Sequence, residues 1–209
     1  MTPQDRDARQ LQEHLREFYA GHIDRHAVRS AVMDVVLARI GCQRVSLWKF
    51  EGDPGHLSLL CFAAKTAAGD LDFVEKRLAQ SEYRDYFNAL IVRGTYVASD
   101  ALAAPALQPM RENYLVPNNV LSLLDAAFML NGRAYGMVCC EETQTQRDWR
   151  VGDVSALRAI VTRLALIMSS TPESILWATP SLPLQALTDR APDRAPPART
   201  EQRGAAWKG

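Results

Sequence analysis

Two carboxylates stand in otherwise apolar runs: Asp125 within Ser122–Phe128, and Glu141 at the end of Gly136–Cys140. Charged groups are rarely buried unless they are paired or hydrogen-bonded. Each acid therefore either orients an amine or hydroxyl of a ligand or pairs with an arginine, Arg133 or Arg147. Glu141 is near the end of its run, where pairing or exposure is the ordinary outcome. Asp125 is mid-run, where a structural and a ligand-facing role weigh equally. Asp100 follows a short apolar stretch and reads first as a turn or cap residue. Around these acids the sequence supplies rings: Trp48, Tyr83, Tyr86, Phe87, Tyr96 and Tyr114. Aromatic walls with a few placed polar groups are what small-ligand sites look like, and they are also what cores look like. Several tyrosines together tilt the balance toward a polar pocket, because a buried hydroxyl needs a partner. The candidate ligand-contacting set is Trp48, Tyr83, Tyr86, Phe87, Asp100, Tyr114, Asp125 and Glu141.

No catalytic set emerges. Cys139 and Cys140 invite a redox reading, but strand neighbours point to opposite faces, and a buried cysteine is normally a small hydrophobe. Cys42, Cys61, Cys139 and Cys140 do not show the paired spacing of a zinc site. His14, His22 and His26 fall on N-terminal helices and His56 in a turn, so neither a metal site nor haem ligation is expected. Residues 70 to 120 hold neither Cys nor His, and a covalently attached bilin is not expected either. A phosphate-cradling glycine loop and a Ser–His–Asp set are both missing from the sequence, so two acids alone do not amount to hydrolase chemistry.

These residues must be carried by recognisable elements. Thr2 can cap a first helix containing Leu11, Leu15 and Phe18, closed by Gly21. Asp24 can cap a second, with Val28, Ala31, Val32, Val35 and Ile40 on one stripe and Gly41 as its stop. The period then shortens: 43–51 and 57–64 read as strands joined by a turn at Gly52-Asp53-Pro54-Gly55. Helical patterning returns over Asp70–Ala79 and Glu82–Val92, Thr95–Ala98 suits a short strand, and Pro105, Pro109 and Pro117 allow only short helical turns after it. Leu121–Leu130 and Arg133–Glu142 flank Asn131-Gly132, the strongest two-residue hairpin signature. Asp153 caps a last helix through Leu157, Ile160, Val161 and Leu164. Six of the 11 prolines fall in the last 38 residues. That composition predicts a largely disordered tail over 171–209, with Leu176 and Trp177 as its only packing residues. The domain plan is a helix over 1–21, a domain over 22–170 and the tail. The fold expected is α+β: a central antiparallel sheet of about five strands, terminal helices on one face, and a helical lid over a pocket on the other.

In that order, Val45-Ser46-Leu47-Trp48, Tyr86-Phe87-Asn88-Ala89-Leu90, Val97-Ala98-Ser99-Asp100, Tyr114-Leu115-Val116-Pro117, Ser122-Leu123-Leu124-Asp125-Ala126-Ala127-Phe128, Asn131-Gly132-Arg133 and Gly136-Met137-Val138-Cys139-Cys140-Glu141 resemble a GAF domain. Arg147 and Trp149 fit the GAF domains attached to sensor kinases and diguanylate cyclases; Ala127 departs, standing where that subgroup has proline. The resemblance covers residues 22 to 170. It implies a small-molecule-sensing regulatory module, often dimeric through its terminal helices, without naming the ligand. It also supplies a rival, since a few stand-alone GAF proteins reduce free methionine sulfoxide with loop cysteines; a ligandless dimerisation module is a third reading.

Composition bounds the rest. At 209 residues, with 47% apolar and 23% charged, the chain has material for one core. Lys plus Arg and Asp plus Glu are both 24, so nothing in the net charge points to nucleic acid or an anionic membrane. The polar first residues and the lack of a bilayer-length apolar run give a cytoplasmic expectation. No output domain follows in the sequence, so the signal is expected to pass to a partner protein. Surplus apolar residues on the helices, Tyr19, Val36 and Ile167, suggest a homodimer.

Overall fold

The computed structural model describes residues 3–71 and 76–169. The expected cap at Thr2 and the tail over 171–209 lie outside the described residues. Helix α1 (Pro3–Tyr19) buries Leu11 and packs on α2 (Arg25–Ile40). Asp24 caps α2 by accepting from the Ala27 amide at 2.9 Å. Gly41 ends it in the left-handed conformation, φ 68°, and its amide donates to the Leu37 carbonyl. Val36, expected as a surplus surface residue, is fully buried on the core side of α2. Tyr19 is 60% exposed.

Strands β1 (Arg44–Glu51) and β2 (Ser58–Thr66) pair antiparallel, with an irregularity at Leu47/Trp48. The turn between them depends on Gly52, whose φ is 95° and where an added Cβ would stand 2.5 Å from the His56 carbonyl oxygen. Two further strands, β3 (Gly69–Asp70) and β4 (Lys76–Ala79), lie along the outer edge of β2. They replace the helix expected over Asp70–Ala79. The physical reason is β2 itself: its outer backbone groups need partners, and pairing with 69–70 and 76–79 supplies them while burying Leu78 opposite Leu59.

Helix α3 (Arg84–Arg93) ends at Gly94 and leads into β5 (Thr95–Ala98). A 3-10 turn (Pro105–Met110) and a π turn (Arg111–Leu115) follow, as the prolines require. Strands β6 (Ser122–Leu130) and β7 (Arg133–Glu142) form the expected hairpin, with Asn131 and Gly132 both at positive φ. Helix α4 (Val151–Ser169) closes the described chain. Asp153 caps it from the third helical position, accepting from the Arg150 amide at 2.9 Å, the acidic half of a capping box.

The seven strands form one antiparallel sheet in the order β3-β2-β1-β7-β6-β5, with β4 also beside β2. Both faces are covered, so β6 reads as apolar on both sides apart from Ser122 and Asp125. Helices α1, α2 and α4 pack Leu11, Val32, Val36, Leu157 and Ile160 against Leu47, Leu124, Val138 and Cys140. The opposite face packs Trp48, Leu59, Met137 and Cys139 against Tyr86, Phe87, Leu90, Leu107 and Leu115 from α3 and the lid turns. Among the described residues no helix is long and apolar enough to cross a membrane.

Candidate functional site

Alternation along β7 decides what faces the lid. Met137, Cys139 and Glu141 point to the lid side, while Val138 and Cys140 point to the helices. Next to Glu141, between the sheet and the lid, lies a cavity of about 410 Å³, a size suited to a small ligand. Its sheet wall is Arg44, Ser46 and Trp48 of β1 and Cys61 of β2; Lys76 of β4 and Tyr114 and Asn118 of the lid close it.

Glu141 is fully buried. It accepts from the Tyr114 hydroxyl at 2.5 Å through Oε1 and from Arg44 Nε through Oε2. This three-residue arrangement stabilises a charge that burial alone would make costly. Burial is the largest single influence on Arg44 and would lower its pKa, but the Glu141 charge, the Tyr114 phenol and the hydrogen bond to Glu141 together outweigh it and raise the guanidinium above its ordinary value. Burial and the Glu141 charge together push the Tyr114 phenol well up. The Lys76 ammonium sits 3.7 Å from the centre of the Tyr114 ring, a cation–π contact. Burial lowers its pKa, the nearby Glu141 charge offsetting only part of that. The Trp48 indole N–H donates to Ser46 Oγ at 2.8 Å.

A second polar group lies deeper on the same face. Asp125 is fully buried, and the Tyr86 hydroxyl donates to its Oδ2 at 2.6 Å. Cys139 is its cross-strand partner. Burial pushes the Asp125 carboxyl up to about 7; the Cys139 thiol and Tyr86 hydroxyl offset part of this and the Glu141 charge adds to it. The thiol is near enough to matter electrostatically, yet Oδ1 makes no hydrogen bond among the described residues.

The structure therefore brings Trp48, Tyr114 and Glu141 to one cavity and sets Asp125 with Tyr86 as a buried pair beside it. Tyr83 and Phe87 are core residues; Phe87 meets Phe50 edge-on with ring centres 6.0 Å apart. Asp100 is exposed, and its carboxylate accepts from the Ala103 amide at 2.9 Å. Neither expected arginine pairs with Glu141. Arg133 is exposed at the hairpin turn, and Arg147 binds Glu142 at 2.9 Å and Asp153 at 3.0 Å. Arg44 and Lys76 went unnoticed in the sequence. The only available signal for Arg44 was a cation opening a strand whose neighbour ends in a buried acid.

All four cysteines are free and buried. Burial pushes the Cys61 thiol up to about 12 and those of Cys139 and Cys140 well above their ordinary value. A thiolate-based redox centre would need the opposite. No group of His, Cys, Asp and Glu that could hold a metal occurs among the described residues.

A family model of the GAF domain matches residues 24–168. The chain belongs to the GAF domain family. It is thus a small-molecule-sensing signalling module by kind. A search of curated proteins finds no match. Solved GAF structures share the fold at low identity. The phycocyanobilin-bound GAF domain from a cyanobacterial phytochrome is 17% identical with a TM-score of 0.62, over 79% of this chain and 93% of that one. The blue-light absorbing form of the Thermosynechococcus elongatus PixJ GAF domain is 16% identical at a TM-score of 0.58, over 69% of this chain and 84% of that one. A bacteriophytochrome from R. palustris is 14% identical at a TM-score of 0.58, over 79% of this chain and 37% of that one.

These matches correct the expectation about bilins. Structures with phycocyanobilin, biliverdin and phycoerythrobilin bound carry this same fold, so a bilin is not to be set aside as a cofactor class. Residues 70 to 120 hold no cysteine, but they form only part of the cavity wall. The cavity wall also draws on β2, and there it contains Cys61.

Proposed function

We propose that this GAF domain senses a small organic ligand bound between β1, β2, β7 and the lid turns. The carrying observation is the cavity of about 410 Å³ with Arg44, Lys76, Tyr114 and Glu141 converging on it. A packed core would fill such a space with apolar side chains; here charged groups face it instead. Tetrapyrroles belong among the ligands to be tried. Trp48 and Tyr114 would flank such a ring system, and Arg44 and Lys76 would hold acidic side groups. A bound bilin would supply light absorption. Ligand binding biases the module only if lid-open and lid-closed states differ in affinity. The helix layer on the other face is the proposed output, regulating a partner of the sensor-kinase or cyclase type.

The test is a thermal-shift screen against nucleotides, amino acids, oxo acids and tetrapyrroles. A saturable rise in melting temperature with one class, reduced in a Trp48→Leu variant, is the expected result. A flat response to every class overturns the sensor reading and favours the ligandless dimerisation module. Dimerisation is a separate proposal, supported by a groove of about 250 Å³ lined by Leu11 of α1 and Ile160 of α4, and by exposed Tyr19. Light scattering should give twice the chain mass, falling toward one chain in a Tyr19→Glu variant.

A further inference from the structure

We propose that the cavity takes an organic carboxylate, its carboxylate group held between Arg44 and Lys76. This deepens the sensor reading and rests on it. Among the described residues, two cations and one anion face the space: Arg44 and Lys76 against Glu141. Glu141 is already engaged through both oxygens, by Tyr114 and by Arg44 Nε. Arg44 uses that one donor on Glu141, while its Nη2 is buried with no acceptor among the described residues. Lys76 contacts the Tyr114 ring and has no carboxylate partner among the described residues. A half-buried ammonium and a buried guanidinium nitrogen without acceptors are costly. One monoanion gives the Lys76 ammonium an acceptor and cancels the single excess positive charge of these three described groups; Arg44 Nη2, closed off in this structure, reaches it through a shift of the guanidinium toward the cavity. A phosphate dianion would overshoot and crowd Glu141, and an amine would meet two cations. Trp48, Tyr114 and Leu71 leave an aromatic and apolar bed for the rest of the ligand. Bound anion would also reverse the burial effect that lowers the Lys76 pKa.

The carboxylate could belong to a small acid or to a side group of a tetrapyrrole, and paired probes separate the two. The full chain is titrated with benzoate against benzamide, with biliverdin against its dimethyl ester, and with inorganic phosphate. Melting temperature and the tryptophan fluorescence lost in Trp48→Leu are the readouts, since the chain holds four tryptophans. The expected result is saturable binding of an acid and loss of that binding in its neutral counterpart; whichever pair shows it names the source. Lys76→Gln, at a half-buried edge position, should weaken the acid by roughly tenfold or more. Because Arg44→Gln alone strands a buried Glu141, it is paired with Glu141→Gln, and that double variant should lose the acid while remaining folded. Equal binding of acid and neutral counterpart, tighter binding of phosphate, or an unchanged affinity in Lys76→Gln overturns the proposal. So does a screen in which only neutral or cationic compounds bind, a result that leaves the sensor reading standing. A screen in which nothing binds removes both.

Discussion

Burial with one hydrogen bond and an unpartnered second oxygen keeps the Asp125 carboxyl protonated until about pH 7. An unfolded aspartate ionises near pH 4. Between those values the folded chain holds the extra proton, so this residue's contribution to stability falls as pH rises and is level above the folded pKa. The whole effect is at most on the order of 4 kcal/mol. Asp125→Asn keeps an acceptor for Tyr86 and removes the titration. Urea denaturation at pH 5 and pH 8 should show the variant gaining on the parent as pH rises. A difference that is constant with pH would mean that Asp125 ionises in the fold as it does in water. Glu141 is equally buried but has two donors, Tyr114 and Arg44, where Asp125 has one. Two acids in similar apolar runs thus have different chemistry because of what the neighbouring strands and lid place beside them.

The loop between β7 and α4 shows how one side chain joins elements. Arg147 donates to the Ile40 carbonyl at 2.9 Å, the Gly41 carbonyl at 3.2 Å, Glu142 and Asp153. It therefore ties the end of α2, the end of β7 and the start of α4. Lysine cannot reproduce this fork, so Arg147→Lys should cost about 1–3 kcal/mol, read as a lower melting temperature with unchanged secondary structure. The ends of α2 and the β6–β7 turn were legible in the sequence because Asp24, Gly41 and Asn131-Gly132 act locally. The stretch from 70 to 79 was not, because its pairing is dictated by the free edge of β2 and not by its own periodicity. The site divides in the same way. Glu141 and Trp48 stood out by residue type within their strands, but no local signal joins Arg44 to an acid 97 residues later or brings Lys76 over Tyr114. Pairing or exposure was the expectation for Glu141; it is paired, with Arg44 in place of Arg133 or Arg147, and it is buried because the lid continues past the end of β7.

At the scale of the molecule, the sheet separates two cores that share no side chain. Substitutions on opposite faces, such as Val36→Ala and Leu59→Ala, should add in their effect on stability. Cys139 and Cys140 are neighbours along the chain, yet one thiol lies in each core. Both are held protonated while the layers are closed, so an alkylating reagent reaches either one only when its own layer opens. The pair is a built-in two-channel recorder of local opening, with fragment-ion mass spectrometry distinguishing the channels. A ligand that closes the lid should slow labelling of Cys139 and leave that of Cys140 unchanged. Equal slowing of both would mean that the two layers breathe as a single unit, and that what happens in the cavity is already felt by the helices.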